Sequence, residues 1–522
     1  MRSTFAGFTT ARLALRASQK ALDVTGQNIA NINTNGYTRQ RLDLVSLTVG
    51  AGTDRYKSMN NVNIGSGVLT SGLSQIRDPF LDIRFRNEIA NVGAAEQKQN
   101  MLKDLESIFD EVSKQGIQNQ LSEINTMLQK LSSEVGNQEF DHMVKASADV
   151  LTKMLNQYAN QIEVVKNDQI YNLQQVEVPK LNDILKNIEN LNKTIKANHI
   201  HGNPALELLD QRNSLIDELA SYINIDVTTN REYLTNDQNG KFVDTLQIKI
   251  RGTDISLIND DKSTQFTAEK ETDPASTKLG QFKFGMKNID TDPASTREDI
   301  YEHLGSGAMK SAFDMLNKSG EFSGDNIRGI GYYEKALNLF ANKVATTFNN
   351  LNAIKRPGGV IEQRYLFGRH DNDPDLTGIT AKNIKIHEDW QKGKVGITPS
   401  QSGDTKGAND NILRMISSIS EKQSYEANPN QPLFKGTYQE YFTNIGSVLG
   451  LDIKSTKSVM ENHKTVAKEI ANMRDSISSV SLDEEGMNLL HYQKSYNAAA
   501  RLMTTLDEAV GTIINNMGVV GR

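Results

Sequence analysis

Two histidines one residue apart, His199 and His201, have the type and spacing of metal ligands. Imidazole nitrogens bind zinc and similar ions, but a complete site needs at least one further protein ligand. No cluster of histidine or carboxylate residues lies near them in sequence, and the chain contains no cysteine. Gly202, Asn203 and Pro204 follow directly, which indicates a helix that ends in a turn. We therefore expect no metal site here and no cofactor.

Three alternating aspartates, Asp371, Asp373 and Asp375, could bind calcium through their carboxylate oxygens. An EF-hand calcium loop also needs a central glycine and a distal glutamate that ligates through both oxygens. Neither is present at the required spacing. A solvated acidic turn is therefore the better interpretation.

A second acidic group, Asp483, Glu484 and Glu485, could supply paired carboxylates for acid and base catalysis. Ser481 precedes it, and the Ser-x-x-Glu spacing is that of a capping box at a helix start. Negative charge in a first helical turn also complements the helix dipole. We therefore predict a structural cap at this position.

The remaining candidates for catalysis are isolated residues. The sequence has no phosphate-binding glycine loop, no dinucleotide fingerprint, no zinc-protease motif and no serine-hydrolase elbow. Trp390 is the single tryptophan, too little for a surface that stacks sugars or bases. His463 falls on an apolar helical row, where a packed histidine is the more common case. The sequence thus predicts that the protein is not an enzyme.

The composition is that of a polar chain of several domains. Of 522 residues, 37% are hydrophobic and 23% are charged, and the net charge of -6 argues against nucleic-acid binding. No apolar run is long enough to insert into a membrane. Arg12, Arg16 and Lys20 interrupt the place where a signal peptide would have its apolar segment, so we expect no cleaved signal peptide.

The strongest pattern in the chain is an apolar repeat of seven residues at both ends. The N-terminal rows are Phe8, Leu15, Leu22 and Ile29, and Ala11, Ser18, Thr25 and Ile32. The C-terminal rows are Leu489, Tyr496, Met503, Val510 and Met517, and Tyr492, Ala499, Leu506, Ile513 and Val520. Such a stripe requires a partner helix, because one helix alone cannot remove it from water. We therefore expect the two ends to pair.

Between the ends the pattern is mostly helical. Apolar residues at helical spacing predict bundle helices over roughly 79–222, 332–352 and 412–420. A further long helix is predicted from a row of apolar residues at seam spacing, Val459, Val466, Ile470, Met473, Ile477 and Val480. Pro79 and Pro179 are typical of first helical turns. The Gly- and Asn-rich segment from about 42 to 76 predicts an extended or weakly β connector.

A small β-rich insertion is predicted within residues 223–302. Leu246, Ile248 and Ile250 alternate with polar residues, and a similar alternation surrounds Phe284. The dipeptide at 239–240, Asn-Gly, favours a hairpin turn. The hexapeptide Thr-Asp-Pro-Ala-Ser-Thr occurs twice, in turn-rich loops, and two copies do not indicate a solenoid.

We therefore predict a mainly α fold with paired terminal coiled-coil helices, a central helical bundle and a small β-rich inserted domain. The predicted domains are an N-terminal axial helix and connector (1–60), the first half of a helical domain (61–222), a β-rich outer domain (223–302), the second half of the helical domain (303–480, with an irregular insertion at 357–409) and a C-terminal axial helix (481–522).

Both terminal segments carry recognisable motifs. Residues 21–31 (ALDVTGQNIAN) and 34–40 (TNGYTRQ) resemble the N-terminal signature of flagellar rod, hook and hook-associated proteins. Residues 480–485 (VSLDEE) and 488–501 (NLLHYQKSYNAAAR) resemble the C-terminal half of that signature. Within the family the chain is most similar to the hook-filament junction proteins, through these motifs and the run Glu207 to Asn213.

The resemblance implies a structural protein of the bacterial flagellum that lies outside the cell. Such proteins pass through the flagellar type III apparatus and form a ring or tube of identical subunits. The implied partners are the hook protein on one side, and a second junction protein and flagellin on the other. A flagellar export chaperone is implied to bind the C-terminal helix.

Sixteen residues are expected to form the assembly interface, by helix formation coupled to subunit packing. Asn28, Asn31, Gly36, Tyr37 and Arg39 are expected to shape the turn after the first helix. The apolar contacts are expected from Phe8, Leu15, Leu22, Ile29, Leu489, Tyr492, Tyr496, Met503, Leu506, Val510 and Ile513.

Three alternatives stay open. A hook or rod protein would share the terminal motifs, but its middle would be dominated by β structure. A secreted effector or adhesin that uses flagellar export would need a cluster of convergent polar residues. An intracellular coiled-coil adaptor would carry the paired terminal motifs by coincidence.

Overall fold

The computed structural model describes most of the chain. The described residues are 6–47, 67–113, 116–233, 242–272, 280–287, 298–356, 360–370, 378–402, 407–428 and 431–516. The aspartates at 371–375, the Asn-Gly turn at 239–240, almost all of both hexapeptides, Met517 and Val520 lie outside them. The described part is mainly helical with small strand pairs, so the predicted fold class is confirmed.

The helices follow the order of the sequence. They are α1 (Ala6–Ala30), α2 (Pro79–Ser113), α3 (Ile117–Ser133), α4 (Gln138–Asn172), α5 (Val178–Ile200), α6 (Leu206–Tyr222), α7 (Ala308–Asn317), α8 (Ile330–Asn352), α9 (Glu388–Gln391), α10 (Asp410–Ser420), α11 (Tyr438–Ser478) and α12 (Leu482–Asn516).

The strands form small antiparallel sheets. They are β1 (Gln40–Ser46), β2 (Val68–Gln75), β3 (Ile225–Tyr233), β4 (Phe242–Ile250), β5 (Ser256–Asn259), β6 (Lys262–Ser263), β7 (Gln265–Lys270), β8 (Phe282–Lys287), β9 (Glu298–Asp299), β10 (Ile354–Lys355), β11 (Ile361–Glu362), β12 (Phe367–Arg369), β13 (Ile384–Ile386), β14 (Gln423–Asn428) and β15 (Gln431–Gly436).

The two terminal helices pack against each other and run antiparallel. Gly7, near the start of α1, lies so close to Leu506, near the end of α12, that a Cβ on Gly7 would sit 3.1 Å from a Leu506 methyl carbon. At the opposite end, the residues just after α1 contact the start of α12. Glycine at position 7 thus permits a close approach of the two backbones.

The connector after α1 is a long hairpin in which β1 pairs with β2, from Gln40 with Gln75 to Ser46 with Val68. One face of this ribbon packs on α1. The first predicted boundary, between residues 60 and 61, falls between the two paired strands, while β3 to β9 lie within the predicted range 223–302. The predicted domain bounds stay predictions.

Helices α2 and α11 form a long antiparallel pair that leads from the terminal helices into the body of the molecule. Helix α11 begins with a capping box, in which Thr437 and Glu440 each accept a hydrogen bond from the other's backbone N–H. Its second half buries Ala467 and Ile470, while Val459, Val466 and Met473 of the predicted row are 40–45% exposed. The predicted row is therefore buried at Ile470 and partly exposed at these three positions.

Helices α4 and α5 form one continuous rod, because five residues of π-helix, Leu173–Glu177, join them without a break. The cause is Pro179 in the first turn of α5. A proline ring clashes with the carbonyl four residues earlier and lacks an N–H donor, and a wider turn relieves that clash. Pro179 thus marks the start of a helical segment that is continuous with the one before it.

Most of the body shares one apolar core. Its cluster of buried residues extends from Met101 on α2 to Leu449 on α11 and includes Ile248 and Phe284 of the β insertion. In the described part of the chain, no residue of α1 or α12 belongs to this cluster. None of the described helices is long and apolar enough to cross a membrane.

Candidate assembly surface and the polar junction at its base

Helix α1 buries its small residues. Ala11, Ser18, Ala21 and Thr25 are each at most 7% exposed, and they form a stripe with steps of three, four and seven residues. Small side chains at these steps allow a close approach of the neighbouring helix. The stripe contains Ala11, Ser18 and Thr25 of the second predicted row, with Ala21 in addition, while Ile32 of that row lies after α1 and is 38% exposed.

The large apolar residues of α1 lie beside that stripe. Phe8, Leu15, Leu22 and Ile29 are all half-buried, although they belong to the expected apolar interface. Their row is rotated from the small-residue stripe by roughly a sixth to a quarter of a turn, at 100° per residue. Part of each of these side chains therefore remains in contact with solvent.

Helix α12 shows the same incomplete burial. Of the expected interface residues, Leu489, Tyr496 and Ile513 are 36–46% exposed, while Tyr492, Met503, Leu506 and Val510 are half-buried. Further large apolar side chains are exposed on this helix, namely Met487, Leu490, Leu502 and Ile514. An apolar band of this length on an exposed helix indicates a surface that binds another protein chain.

At the base of the terminal pair, a group of polar residues fixes the turn after α1, and we call it the polar junction: Asn28, Tyr37, Thr38, Arg39, Gln40, Glu207, Asp210, Glu484 and Glu485. Its centre is the buried side chain of Asn28. The Asn28 amide donates to the Gln40 carbonyl at 2.9 Å and its oxygen accepts from the Gln40 N–H at 3.0 Å. The Tyr37 hydroxyl also donates to the Asn28 oxygen, at 2.9 Å.

Arg39 joins the two ends of the chain across the polar junction. Its Nε donates to Glu485 Oε1 at 2.7 Å, and a second nitrogen of the guanidinium contacts Glu484. Its backbone N–H donates to the carbonyl of Ser478, the last residue of α11, at 2.8 Å. The Glu485 side chain is only 2% exposed, so Arg39 compensates a buried charge.

The polar junction also attaches the N-terminal turn to α6. Thr38 donates to the two carboxylate oxygens of Asp210, from its N–H at 3.0 Å and from its hydroxyl at 2.6 Å. The side chain of Gln40 donates to Glu207 at 3.1 Å. In the sequence, Glu207 and Asp210 stand out only as part of the run from Glu207 to Asn213, because nothing near them indicates partners some 170 positions away.

The electrostatics of the polar junction follow from burial. Burial raises the pKa of Tyr37 to about 12, and the negative charges of Glu207, Asp210 and Glu485 add to the effect. Burial also raises the pKa of Asp210, against the lowering effect of its hydrogen bonds to Thr38. For Arg39, burial alone would lower the pKa, but the hydrogen bonds and charges of Glu484 and Glu485 outweigh it and raise the pKa.

The two remaining expected residues of the turn act locally. The Asn31 amide donates to the Gln27 carbonyl at 3.0 Å and its oxygen accepts from the Thr34 hydroxyl at 3.1 Å. Gly36 has φ of +79°, a left-handed conformation that glycine adopts without steric cost. The structure thus brings Asn28, Tyr37 and Arg39 together, with Asn31 and Gly36 in the turn beside them.

A charge network continues from the polar junction into the start of the α2 and α11 pair. Arg474 binds Asp217 at 2.6 Å, and its guanidinium lies 4.3 Å from the centre of the Phe85 ring. Arg86 binds the other oxygen of Asp217 at 2.7 Å, and Arg77 binds Asp82 at 2.5 Å. Helices α2, α6 and α11 are therefore tied together by paired charges.

The other candidates for chemistry lie in structural positions. His199 is in the last turn of α5 and His201 caps that helix. Trp390 is buried in the core, and His463 pairs with Glu88 across α11 and α2 at 2.6 Å. Among the residues that the structure describes, no group of three or more metal-binding side chains is present.

Three family models match the chain in order. Residues 8–38 match the flagella basal body rod protein model, residues 102–354 the helical domain of flagellar hook-associated protein FlgK, and residues 474–517 the C-terminal model of flagellar basal body rod FlgEFG proteins. Bacillus subtilis flagellar hook-associated protein 1 is 26% identical over the whole of both chains. Over its whole length the chain is thus similar to flagellar hook-associated protein 1.

Further relatives agree with this similarity. Flagellar hook-associated protein 1 of Salmonella typhimurium and that of Escherichia coli are each 22% identical, over 96% of this chain and 98% of theirs. The flagellar hook junction protein FlgK from Burkholderia pseudomallei has a similar fold, with a TM-score of 0.56 over 76% of this chain and 100% of that one, at 11% identity.

These similarities together decide the general role. The chain is a structural protein of the flagellar axis, located in the flagellum outside the cell, and it assembles there with other flagellar proteins. The prediction that it is not an enzyme is confirmed by the family, which is structural. For a structural protein, the feature that requires an explanation is the exposed apolar band on the terminal helices.

Proposed function

We propose that identical copies of this chain form a ring that joins the hook to the filament. The observation that carries this proposal is the contrast within the terminal pair, whose base is fixed by the polar junction while its apolar band is exposed. A surface of this kind is stable when other chains cover it. The proposed neighbours are the hook protein on one side, and a second junction protein and flagellin on the other.

The proposed mechanism couples helix formation to assembly. The sixteen expected residues divide into two sets, the apolar side chains of α1 and α12 that contact neighbouring copies and the five residues of the turn that hold the pair on the body. Within the terminal pair, α1 buries small residues and leaves its large apolar side chains half-buried. Isolated helices are marginal in water, so the pair gains most of its stability from added copies.

We further propose that an export chaperone binds α12 before assembly. Leu489 and Tyr496, which are exposed, and Met503 and Val510, which are half-buried, repeat every seven positions, and this repeat suits a helical groove on the partner. The proposed route is the flagellar type III apparatus, with the chain left uncleaved.

A hook or rod protein is the second candidate, because two of the matching family models describe rod proteins. The body between the terminal motifs favours the junction role. It is mainly helical, and it matches the helical domain of hook-associated protein FlgK over residues 102–354.

Removal of the residues after Glu485 tests the proposed function in cells. We expect cells with this truncation to keep hooks, to lose filaments and to release flagellin into the medium. The matched control is Gln493→Ala, which changes an exposed polar residue of α12 and should leave filaments normal. Normal filaments on the truncated strain would overturn the junction role, and loss of the hooks as well would favour a rod or hook role.

A further inference from the structure

Away from the polar junction, five charged residues of the terminal pair have no ion-pair partner in the described part of the chain. Arg12, Arg16 and Lys20 are exposed on α1, and Asp507 and Glu508 are exposed near the end of α12. Among the described residues, no ion pair within 4 Å includes any of these five. The body differs, since its charges form pairs such as those of Arg86, Arg474 and Asp217.

The three cations form one basic surface. They are spaced four residues apart, and at 100° per residue they lie on the side of α1 away from the buried small-residue stripe. The large apolar row that contains Leu15 and Leu22 lies between that stripe and the cations. A partner that covers this row therefore also meets the three positive charges, and an acidic helix end fits them.

We propose that this basic surface packs against Asp507 and Glu508 of a neighbouring copy. The proposal rests on the proposed ring and names one contact within it. The opposite charges of the two surfaces support it, as does a half-buried apolar residue beside each of them, Leu15 on α1 and Val510 on α12. The contact is head to tail, because each copy presents α1 to one neighbour and α12 to the other.

The geometry of the pair gives the offset between neighbours. The contact of Gly7 with Leu506 on antiparallel helices places Asp507 level with the start of α1. Arg16, at the centre of the basic surface, is about ten residues further along, which is roughly 15 Å of helix at 1.5 Å per residue. Neighbouring copies are thus displaced by roughly 15 Å along the axis of the terminal pair.

Disulfide cross-linking tests this contact directly, because the chain contains no cysteine. The variant with Arg16→Cys and Glu508→Cys, oxidised in isolated flagella, is expected to give cross-linked dimers and higher species. A disulfide within one copy is excluded, because the two positions are roughly 15 Å apart along the pair and a disulfide needs Cα atoms within about 7 Å. The matched control pairs Arg16→Cys with Asp483→Cys, at the opposite acidic end of α12, and is expected to give none. Equal cross-linking in both variants, or none in either, would overturn the contact.

Charge reversal provides a second measurement. Arg12→Glu with Arg16→Glu and Lys20→Glu, and separately Asp507→Lys with Glu508→Lys, are each expected to lower the fraction of cells with filaments at least fivefold, while export continues. All five changes together are expected to restore most of the loss. If the five changes together do not restore filaments, the contact is overturned. A loss of filaments with the α1 changes alone would also overturn it, because that result would indicate an anionic partner other than α12. Loss of filaments on truncation after Glu485, without any effect of charge reversal, would leave the proposed function intact and reject this contact alone.

Discussion

The terminal helices and the helical body carry the same heptad spacing but bury it to different degrees. In α3, Leu121, Ile124, Leu128 and Leu131 are at most 3% exposed. In α12, Leu489 and Tyr496 occupy equivalent steps and remain 36–37% exposed. The spacing thus indicates that a helix needs a partner, but it does not say whether the partner belongs to the same chain.

The charged residues of the body and of the terminal pair show the same difference. In the body, buried or half-buried carboxylates such as Asp82 and Asp217 have arginine partners within the chain. On the terminal pair, pairing is concentrated at the base, where Arg39 binds Glu484 and Glu485. We infer that the body folds as a unit and that the terminal pair is completed by other copies. The predictions below test this contrast, in order of decreasing effect.

The largest effect is expected from a cavity in the body. Leu128→Ala removes a side chain that is 0% exposed, and we expect it to lower the free energy of unfolding of the monomer by about 3 kcal/mol. The comparison variant is Leu489→Ala on α12, which should lower it by less than about 1 kcal/mol because that side chain is already 36% exposed. Urea denaturation of both variants measures the difference. Similar losses would mean that α12 belongs to the cooperative core of the monomer.

A smaller effect is expected at the polar junction. Arg39→Ala leaves Glu485 buried without its cation, and we expect a loss of roughly 2 kcal/mol in the attachment of the terminal pair. Limited proteolysis should cut faster near residues 36–40 and 478–485, with the body unaffected. Arg41→Ala is the control, because that side chain is 64% exposed and pairs only with Asp43. If both variants are cut at the wild-type rate, Arg39 does not hold the pair.

Acid is expected to lower the free energy of unfolding of the body by a still smaller amount. Burial of Glu189 would raise its pKa, but Lys186, Lys193 and Ser263 outweigh this and lower it from 4.5 to about 2. The depressed pKa stabilises the folded state above about pH 4.5, and this contribution is lost as the pH falls toward 2. Because both lysines are about half exposed, we expect only about 1 kcal/mol from it.

Glu189→Gln removes this contribution. The variant should be less stable than the wild type at pH 7 by about 1 kcal/mol, and the difference should shrink below pH 4. Urea denaturation across this range measures it. A difference that stays constant from pH 7 to pH 2.5 would show that the charge of Glu189 contributes nothing, and that its hydrogen bond to Ser263 carries the effect.

The smallest expected effect is a gain in the stability of helix α1. Gly26 lies within α1 with nothing within 4 Å of the place where a Cβ would stand. Gly26→Ala should favour the helix by about 0.5–1 kcal/mol through propensity alone. We expect a small rise in the helical signal of the monomer by circular dichroism, with normal filaments. An unchanged signal would indicate that α1 is already fully helical in the free chain.

Much of the fold could be predicted because its pattern is local. Pro79 begins α2 as expected, and the alternation of Leu246, Ile248 and Ile250 lies on strand β4 with all three side chains buried. The segment over residues 360–402 could not be predicted in the same way. Its backbone is held by single amide side chains of distant helices, which leave no periodic signal.

Asn349 and Asn352 illustrate this limit. Asn349, on α8, accepts hydrogen bonds from the N–H groups of Leu366 and Phe367 at 2.8 and 2.9 Å. Asn352 accepts from the Thr398 N–H at 2.7 Å and donates to the Arg364 carbonyl at 2.8 Å. One asparagine in a helix is compatible with many environments, so only the structure reveals its partners.

The candidate site was predictable to a similar degree. The terminal rows and the residues Asn28, Tyr37 and Arg39 were chosen from sequence, but the heptad rule gave no preference for the small row that α1 buries. The pairing of Arg39 with Glu485 spans 446 positions, a separation over which local pattern carries no information. The same reason explains why Asp210 received no role from sequence.

Hydrogen exchange on the purified monomer and on isolated flagella tests the central claim most directly. If other copies complete the terminal pair, amides of α1 and α12 should exchange rapidly in the monomer while those of α3 and α8 are protected. In the assembled flagellum, α1 and α12 should gain protection of at least a hundredfold. Protection of α1 and α12 in the monomer equal to that of the body would contradict the claim.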